Sequence, residues 1–226
     1  MMNHYLGRTH SLLYLIGVIL TLQCIAPVSA GLEGPVVDAI TYYNQAVDAA
    51  ANGSYEESLI LINKSLEIKP DFYLALVTKA SILTHIGDYP QAEELLQMAE
   101  KTHPDNGYIL AAKASLFIET GRYKDALNAA EQALEHDPTL VQAWVLKGTA
   151  HGALGEFENE INASEKALSL DPTDAGALSN YQFAMAALTQ YQNKTDRGVP
   201  EKTPLSLPIV LGAGLFAVGL WRMKKK

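Results

Sequence analysis

The sequence predicts an all-α fold: a right-handed helical solenoid of four helix–turn–helix repeats closed by a C-terminal capping helix. Three observations predict it. Pro70, Pro104, Pro138 and Pro172 stand 34 residues apart. Gly53, Gly87, Gly121 and Gly155 keep the same step, and so do Tyr55, Tyr89, Tyr123 and Phe157. Three residue types held to one period of this length mark stacked helical pairs, none of which can bury its apolar face alone.

In chain order, residues 1–30 read as a signal peptide. Arg8 precedes an apolar run from Leu12 to Leu20, and Val28-Ser29-Ala30 offers small residues ahead of a cleavage point at Gly31. The alternative is an uncleaved N-terminal anchor, for which the run is short against a span of about 20 residues. The single cysteine, Cys24, falls in this stretch, preceded by Gln23 where a lipid-attachment site wants a small residue. The remainder of the chain therefore has no thiol for a disulfide, a zinc site or a nucleophile.

Residues 31–37 form a short Gly/Pro-containing lead, and residues 38–191 read as the repeat domain. The first helix of each repeat (helix A) is expected near 38–52, 72–86, 106–120 and 140–154. The second (helix B) is expected near 56–68, 90–102, 124–136 and 158–170, and a ninth helix near 174–191. The repeats are 39–72, 73–106, 107–140 and 141–174, with the capping helix over 175–191.

Each periodic residue has a local reason. The glycines follow helix A, where a left-handed cap costs glycine little. Pro90 suits the first turn of its helix, which leaves that N–H unbonded in any case. The four periodic prolines end the B helices by disfavouring helix in the residue before them. Asp71, Asp105, Thr139 and Thr173 follow as expected caps of the next A helix. Small residues mark close helix approach: Ala46, Ala80, Ala114 and Gly148 in the A helices, and Ser65, Ala99, Ala133 and Ala167 in the B helices. The aromatic after each turn is expected to wedge between units. In the ninth helix Leu178, Tyr181, Met185 and Leu188 form an apolar stripe, read as the face that closes the open end of the core.

Residues 192–204 are polar and broken by Gly198, Pro200 and Pro204, as in a stalk. Residues 205–221 are uncharged and apolar, as in a transmembrane helix, and Arg222 with Lys224 to Lys226 supplies a basic tail over 222–226. The expected location is the cell membrane: a single pass after signal cleavage, with the repeat domain extracytoplasmic and the basic tail cytoplasmic.

Charge and motif content exclude several functions. Residues 31–203 hold all 25 acids against 12 bases, a balance near −13, which disfavours nucleic acid. His85 and His103 in the second repeat, His136 in the third and His151 in the fourth form no helical ligand pair, so no metal site is expected. No nucleophile elbow or phosphate loop occurs, and no cofactor, small-molecule substrate or enzymatic activity is expected. Four Asn-x-Ser/Thr sequons stand at Asn52, Asn63, Asn162 and Asn193. Asn52 and Asn193 are the candidate glycosylation sites, because Asn63 and Asn162 fall within B helices.

The pattern resembles the tetratricopeptide repeat family. The fourth unit matches it at Trp144, Gly148, Gly155, Phe157, Ala167 and Pro172, and the second at Ala80, Gly87, Tyr89, Ala92, Ala99 and Pro104. The third matches at Ala114, Gly121, Tyr123, Ala126, Ala133 and Pro138, and the first at Tyr42, Ala46, Gly53, Tyr55 and Pro70. The chain departs from the family at Lys79, Lys113 and Lys147, where a leucine is usual, and at Glu160, where an alanine is usual. The lysine ladder has two readings: stems lying along the seam between helices, or a row of cations for an acidic partner.

The resemblance implies a protein or peptide partner in a concave groove lined mainly by A helices. Carried over, that groove comprises Tyr43, Asn44, Val47, Val77, Thr78, Ser81, Tyr108, Ala112, Ser115, Glu119, Val145, Leu146 and Thr149. The Lys/Asn/Arg clamp of chaperone-binding members is absent, since Tyr43, Val47, Thr78, Tyr108 and Ala112 occupy matching positions. An apolar, small-polar groove suits an amphipathic helix or an extended peptide, unless the chain partly fills it itself. The tail resembles archaeal surface-protein sorting signals, with Val199-Pro200-Glu201 before the apolar span and Lys202 in place of phenylalanine. The function implied is an exported, membrane-anchored interaction scaffold or assembly factor. The alternatives are an accessory or regulatory subunit of a membrane enzyme or secretion complex, and a cytoplasmic-facing, tail-anchored adaptor.

Overall fold

The structure, a computed structural model, describes residues 35–196. Those residues form nine α-helices and no strand: α1 (Pro35–Ala51), α2 (Tyr55–Ile68), α3 (Tyr73–Ile86), α4 (Tyr89–Thr102), α5 (Gly107–Glu119), α6 (Tyr123–His136), α7 (Val141–Leu154), α8 (Phe157–Leu170) and α9 (Ala175–Asp196). Consecutive helices pack on one another, and each A helix also touches the A helix of the next repeat. The fold is the expected all-α solenoid, with α9 seated on α7 and α8.

The A-to-B turns are built as the period predicts. Gly53, Gly87, Gly121 and Gly155 are the positive-φ residues of the described chain, at 77°, 92°, 76° and 80°. The residue after each glycine closes the turn. The N–H groups of Ser54, Asp88, Arg122 and Glu156 donate to the carbonyls of Ala49, Leu83, Phe117 and His151 at 2.7–2.9 Å. These bonds satisfy carbonyls that a helix C-terminus otherwise leaves open.

The two helix types bury differently. A helices sit between their own B helix and the preceding repeat, so they are buried nearly all round: α3 buries nine of its residues, from Ala75 to Thr84. B helices bury one stripe, as Ala92, Leu96 and Ala99 do in α4. The small residues expected at the crossings are buried throughout. In the first repeat serines replace alanines, and Ser58 and Ser65 each donate at 2.7 Å to carbonyls of α1, those of Ala46 and Ala39. The turn aromatics wedge between units, with Tyr55 against His85 of the next repeat (5.0 Å between ring centres) and Phe157 against Phe183 of α9 (6.1 Å).

Several expectations need correction. α1 begins at Pro35, inside the expected lead, and α9 runs on to Asp196, so Gln192 and Asn193 are helical rather than part of a stalk. The A-helix caps stand one residue later than expected. Asn106 accepts from the N–H groups of Tyr108 and Ile109, and Asp174 accepts from that of Ala177. Thr139 and Thr173 instead donate to the aspartate before each proline, Asp137 and Asp171, through both N–H and hydroxyl. A short carboxylate two residues back outcompetes helix capping in this tight turn. α9 turns Ala177, Asn180 and Ala184 inward; of the expected stripe it keeps Tyr181 and Leu188 half-buried and leaves Leu178 and Met185 exposed.

The segments expected at 1–30, 205–221 and 222–226 lie outside the described residues. The expected location in the cell membrane is corrected: no helix of the described residues is long and apolar enough to cross a membrane.

Candidate functional site

The thirteen groove positions fall on four A helices, α1, α3, α5 and α7. Nine are buried: Tyr43, Val47, Val77, Thr78, Ser81, Ala112, Ser115, Val145 and Leu146. Tyr108, Glu119 and Thr149 are half-buried, and Asn44 is exposed. Most of these side chains thus serve the contacts between helices as well as any surface. The reason is their size: small and β-branched side chains let neighbouring A helices approach closely.

Two hydroxyls along this row are spent locally. Ser81 donates to the Val77 carbonyl at 2.9 Å, and Thr149 to that of Val145 at 3.0 Å. Each oxygen then keeps acceptor capacity. In α7 that capacity is used, because the Asn180 amide donates to Thr149 Oγ1 and to the Val145 carbonyl, both at 3.0 Å. Asn180 is buried and ties α9 to the floor of the fourth repeat.

An aromatic group gathers at the start of the row. Tyr43 lies 5.1 Å from Phe72, and burial pushes its phenol far above the ordinary range, opposed by the neighbouring Thr78 hydroxyl. Tyr108 is raised first by burial and then by the negative charge of Asp137 and by Tyr73. Tyr73, its ring tilted against that of His103 at 4.6 Å, sits within electrostatic reach of both Tyr43 and Tyr108. Sequence reasoning missed Tyr73 and Asp137. Their signal was weak, because Tyr73 stands where the other repeats carry Ala39, Gly107 and Val141.

The lysine ladder resolves into the seam. Lys113 Nζ lies 2.7 Å from Glu100, and Lys147 Nζ lies 2.9 Å from Glu131 while overlying the Trp144 ring. For Lys79 the residues at the corresponding registers are Leu66 and Asn63, which carry no charge. The stems are half-buried, and two of the three ammonium groups have carboxylates, so packing accounts for the ladder better than a free row of cations.

A cleft of about 620 Å³ opens on another side, between α6, α7 and α8. Trp144, Lys147 and His151 line it from α7, Glu131 from α6, and Asn159, Asn162 and Lys166 from α8. Its polar floor is largely engaged. The Trp144 indole donates to the Pro138 carbonyl at 2.9 Å, and His151 pairs with Glu156 at 2.7 Å. That bond, with a second from Asn159, holds the Glu156 carboxyl below its usual range.

Among the described residues no group of His, Cys, Asp and Glu could hold a metal ion. The sequon asparagines Asn52 and Asn193 are exposed. At the other two, the hydroxyls of Ser65 and Ser164 are buried and donate to the Ala39 and Glu160 carbonyls.

Stacked helical pairs with a shared A-helix face define a helical-repeat binding protein. The chain belongs to the tetratricopeptide repeat family: two family models, each described as tetratricopeptide repeat, match residues 49–116 and 111–175. Together they span more than half of the 226 residues. Such repeats bind proteins or peptides and are in general non-enzymatic scaffolds. No curated protein matches the chain.

Among solved structures, TTC0263, a thermophilic tetratricopeptide repeat protein of Thermus thermophilus, is 20% identical with a TM-score of 0.62, over 79% of this chain and 99% of its own. PilF of Pseudomonas aeruginosa is 17% identical with a TM-score of 0.61, over 75% of this chain and 80% of its own. The first such domain of human RPAP3 is 22% identical with a TM-score of 0.51, over 55% of this chain and 98% of its own. These likenesses show the fold. The tail's resemblance to archaeal sorting signals finds no support in any of these matches.

Proposed function

We propose that the chain is an interaction scaffold that holds one peptide or helix of a partner protein along the A-helix row, with Tyr43, Tyr108, Ser81, Ser115 and Thr149 at its centre. The repeat domain doing this is residues 38–191, in units 39–72, 73–106, 107–140 and 141–174. The observation that carries the reading is the row itself. It combines tyrosines, which anchor interfaces well, with the Ser81 and Thr149 hydroxyls, whose protons are bonded inward. The Ser81 oxygen favours partners that bring donors, such as the N–H groups of an extended peptide.

The test is site-specific photocrosslinking in the cells that make the protein. A crosslinker at Ser115 or Tyr108 is expected to capture a defined segment of one partner, whereas one at the exposed Glu94 or Glu135 captures none. The captured segment, made as a peptide, is expected to bind the purified chain and to lose tenfold or more affinity to N44W, at the exposed position of the row, at unchanged melting temperature. Equal capture from the exposed B-helix positions would overturn the reading.

A further inference from the structure

The fourth repeat carries a side-chain exchange found in none of the others. At one pair of corresponding A- and B-helix positions the first three repeats hold Ala50 with Ser58, Thr84 with Ala92, and Ile118 with Ala126. All six are buried. In the fourth repeat the pair is Gly152 with Glu160: the A-helix residue has lost its side chain, and the B-helix residue has gained a carboxyl. The two changes fit one another. A methyl group at Gly152 would collide with the Glu160 carboxyl, which lies directly on the glycine backbone. Glu160 is 2% exposed, and its Oε2 meets no hydrogen-bond donor.

No cation compensates this carboxyl. Of the groups that α7 places nearby, Lys147 is held by Glu131 and His151 by Glu156. On α8 and its N-cap the neighbouring titratable side chains are Glu156, Glu158, Glu165 and Lys166, all exposed. α9 carries no acidic or basic residue from Ala175 to Asn193, and its titratable side chains there are Tyr181 and Tyr191.

We infer that the Gly152–Glu160 contact is a protonation-dependent latch between α7 and α8: closed while the carboxyl is neutral, and loosened as the carboxyl ionises. A neutral carboxyl can lie against a glycine backbone in a dry crossing, whereas a carboxylate there loses its hydration with no counter-charge to replace it. Consistent with this, burial raises the Glu160 carboxyl to about 8. The sign follows from proton uptake. The folded repeat holds its proton above the pH at which the opened chain releases it, so opening becomes easier as pH rises through that window and levels off near pH 8. α7 and α8 also seat α9, so the latch governs the C-terminal end of the solenoid and leaves the first repeats unaffected.

The experiment is hydrogen exchange of the full chain followed by mass spectrometry from pH 5 to pH 9, corrected for intrinsic exchange. Protection of α7, α8 and α9 is expected to fall by up to roughly tenfold per pH unit between pH 5 and 8, while that of α3 and α4 stays level. E160Q, which cannot ionise, is expected to remove the pH response. G152I together with E160A, which installs the pair found at Ile118 and Ala126, is expected to remove it as well and guards against an E160Q that fails to fold. A side-chain carboxyl titration by carbon-13 NMR should place Glu160 well above the other glutamates. An equal pH response in the wild type and both variants, or a Glu160 midpoint in the ordinary carboxyl range, would overturn the latch.

Discussion

Gly121 holds φ at 76°, and a Cβ built on it would meet nothing within 4 Å. Its role is therefore conformational and owes nothing to packing. An L-residue in this region of the map costs about 1–2 kcal/mol, less for asparagine, whose side chain can bond locally. G121A is expected to destabilise the chain by about 1 kcal/mol, and G121N by less, in urea melts at neutral pH. Equal stability of G121A and the wild type would mean that the turn can close without the left-handed residue. The same scale explains what the sequence made legible and what it did not. Glycine, proline and the turn aromatics act through backbone geometry or sheer size, so their spacing speaks directly. Asp137 and Asp171 act through a competition between two nearby acceptors, and Thr139 and Thr173 read equally well as caps until the turn is seen.

At the scale of the element, burial separates the A and B helices. α4 meets the core through Ala92, Leu96 and Ala99, of which Leu96 alone has a large side chain, and it is 1% exposed. L96A is expected to cost about 2–5 kcal/mol, the range for a leucine whose surroundings cannot collapse. It should also release the amides of α3 and α4 to exchange before those of α7. A loss below about 1 kcal/mol would show that the alanines around it close the gap. The helices themselves were legible because their periods repeat, but the docking face of α9 was legible only in part: Tyr181 and Leu188 are half-buried, Leu178 and Met185 exposed. Large apolar side chains at Leu178, Tyr181, Met185 and Leu188 announced a face. The docked face is the one that lets backbones come near: Ala177 and Ala184, with Asn180 bonding the Val145 carbonyl. Small residues at a crossing carry more positional information than large ones nearby, yet leave a fainter trace in a hydropathy pattern. The groove was legible only as positions. That most of them are buried follows from the way successive A helices pack, which one repeat read alone does not reveal.

For the whole molecule, the question is what ends the array. In the four repeats one buried A-helix position is always small, as Ala46, Ala80, Ala114 or Gly148, and the corresponding position of α9 is Gln182, which is exposed. A glutamine there faces water well and would hold off a B helix at the repeat spacing, so α9 is built to stop the stacking. Its inner face meanwhile covers Val145 and Ala167, which form a small core cluster with Ala177. A chain ending at Asp174 should therefore expose that cluster, leave the Val145 carbonyl without Asn180, and fray from the C-terminus. Because repeat arrays unfold approximately by neighbouring units, the loss should be graded. Exchange protection should collapse in α7 and α8, weaken in α5 and α6, and persist in α1 to α4, with dye binding and self-association reporting the exposed apolar face. N180A in the intact chain should reproduce part of the loss in α7 without self-association, since the face stays covered. If the shortened chain keeps full protection in α7 and α8 and stays monomeric, α9 is an appendage and the solenoid ends at α8.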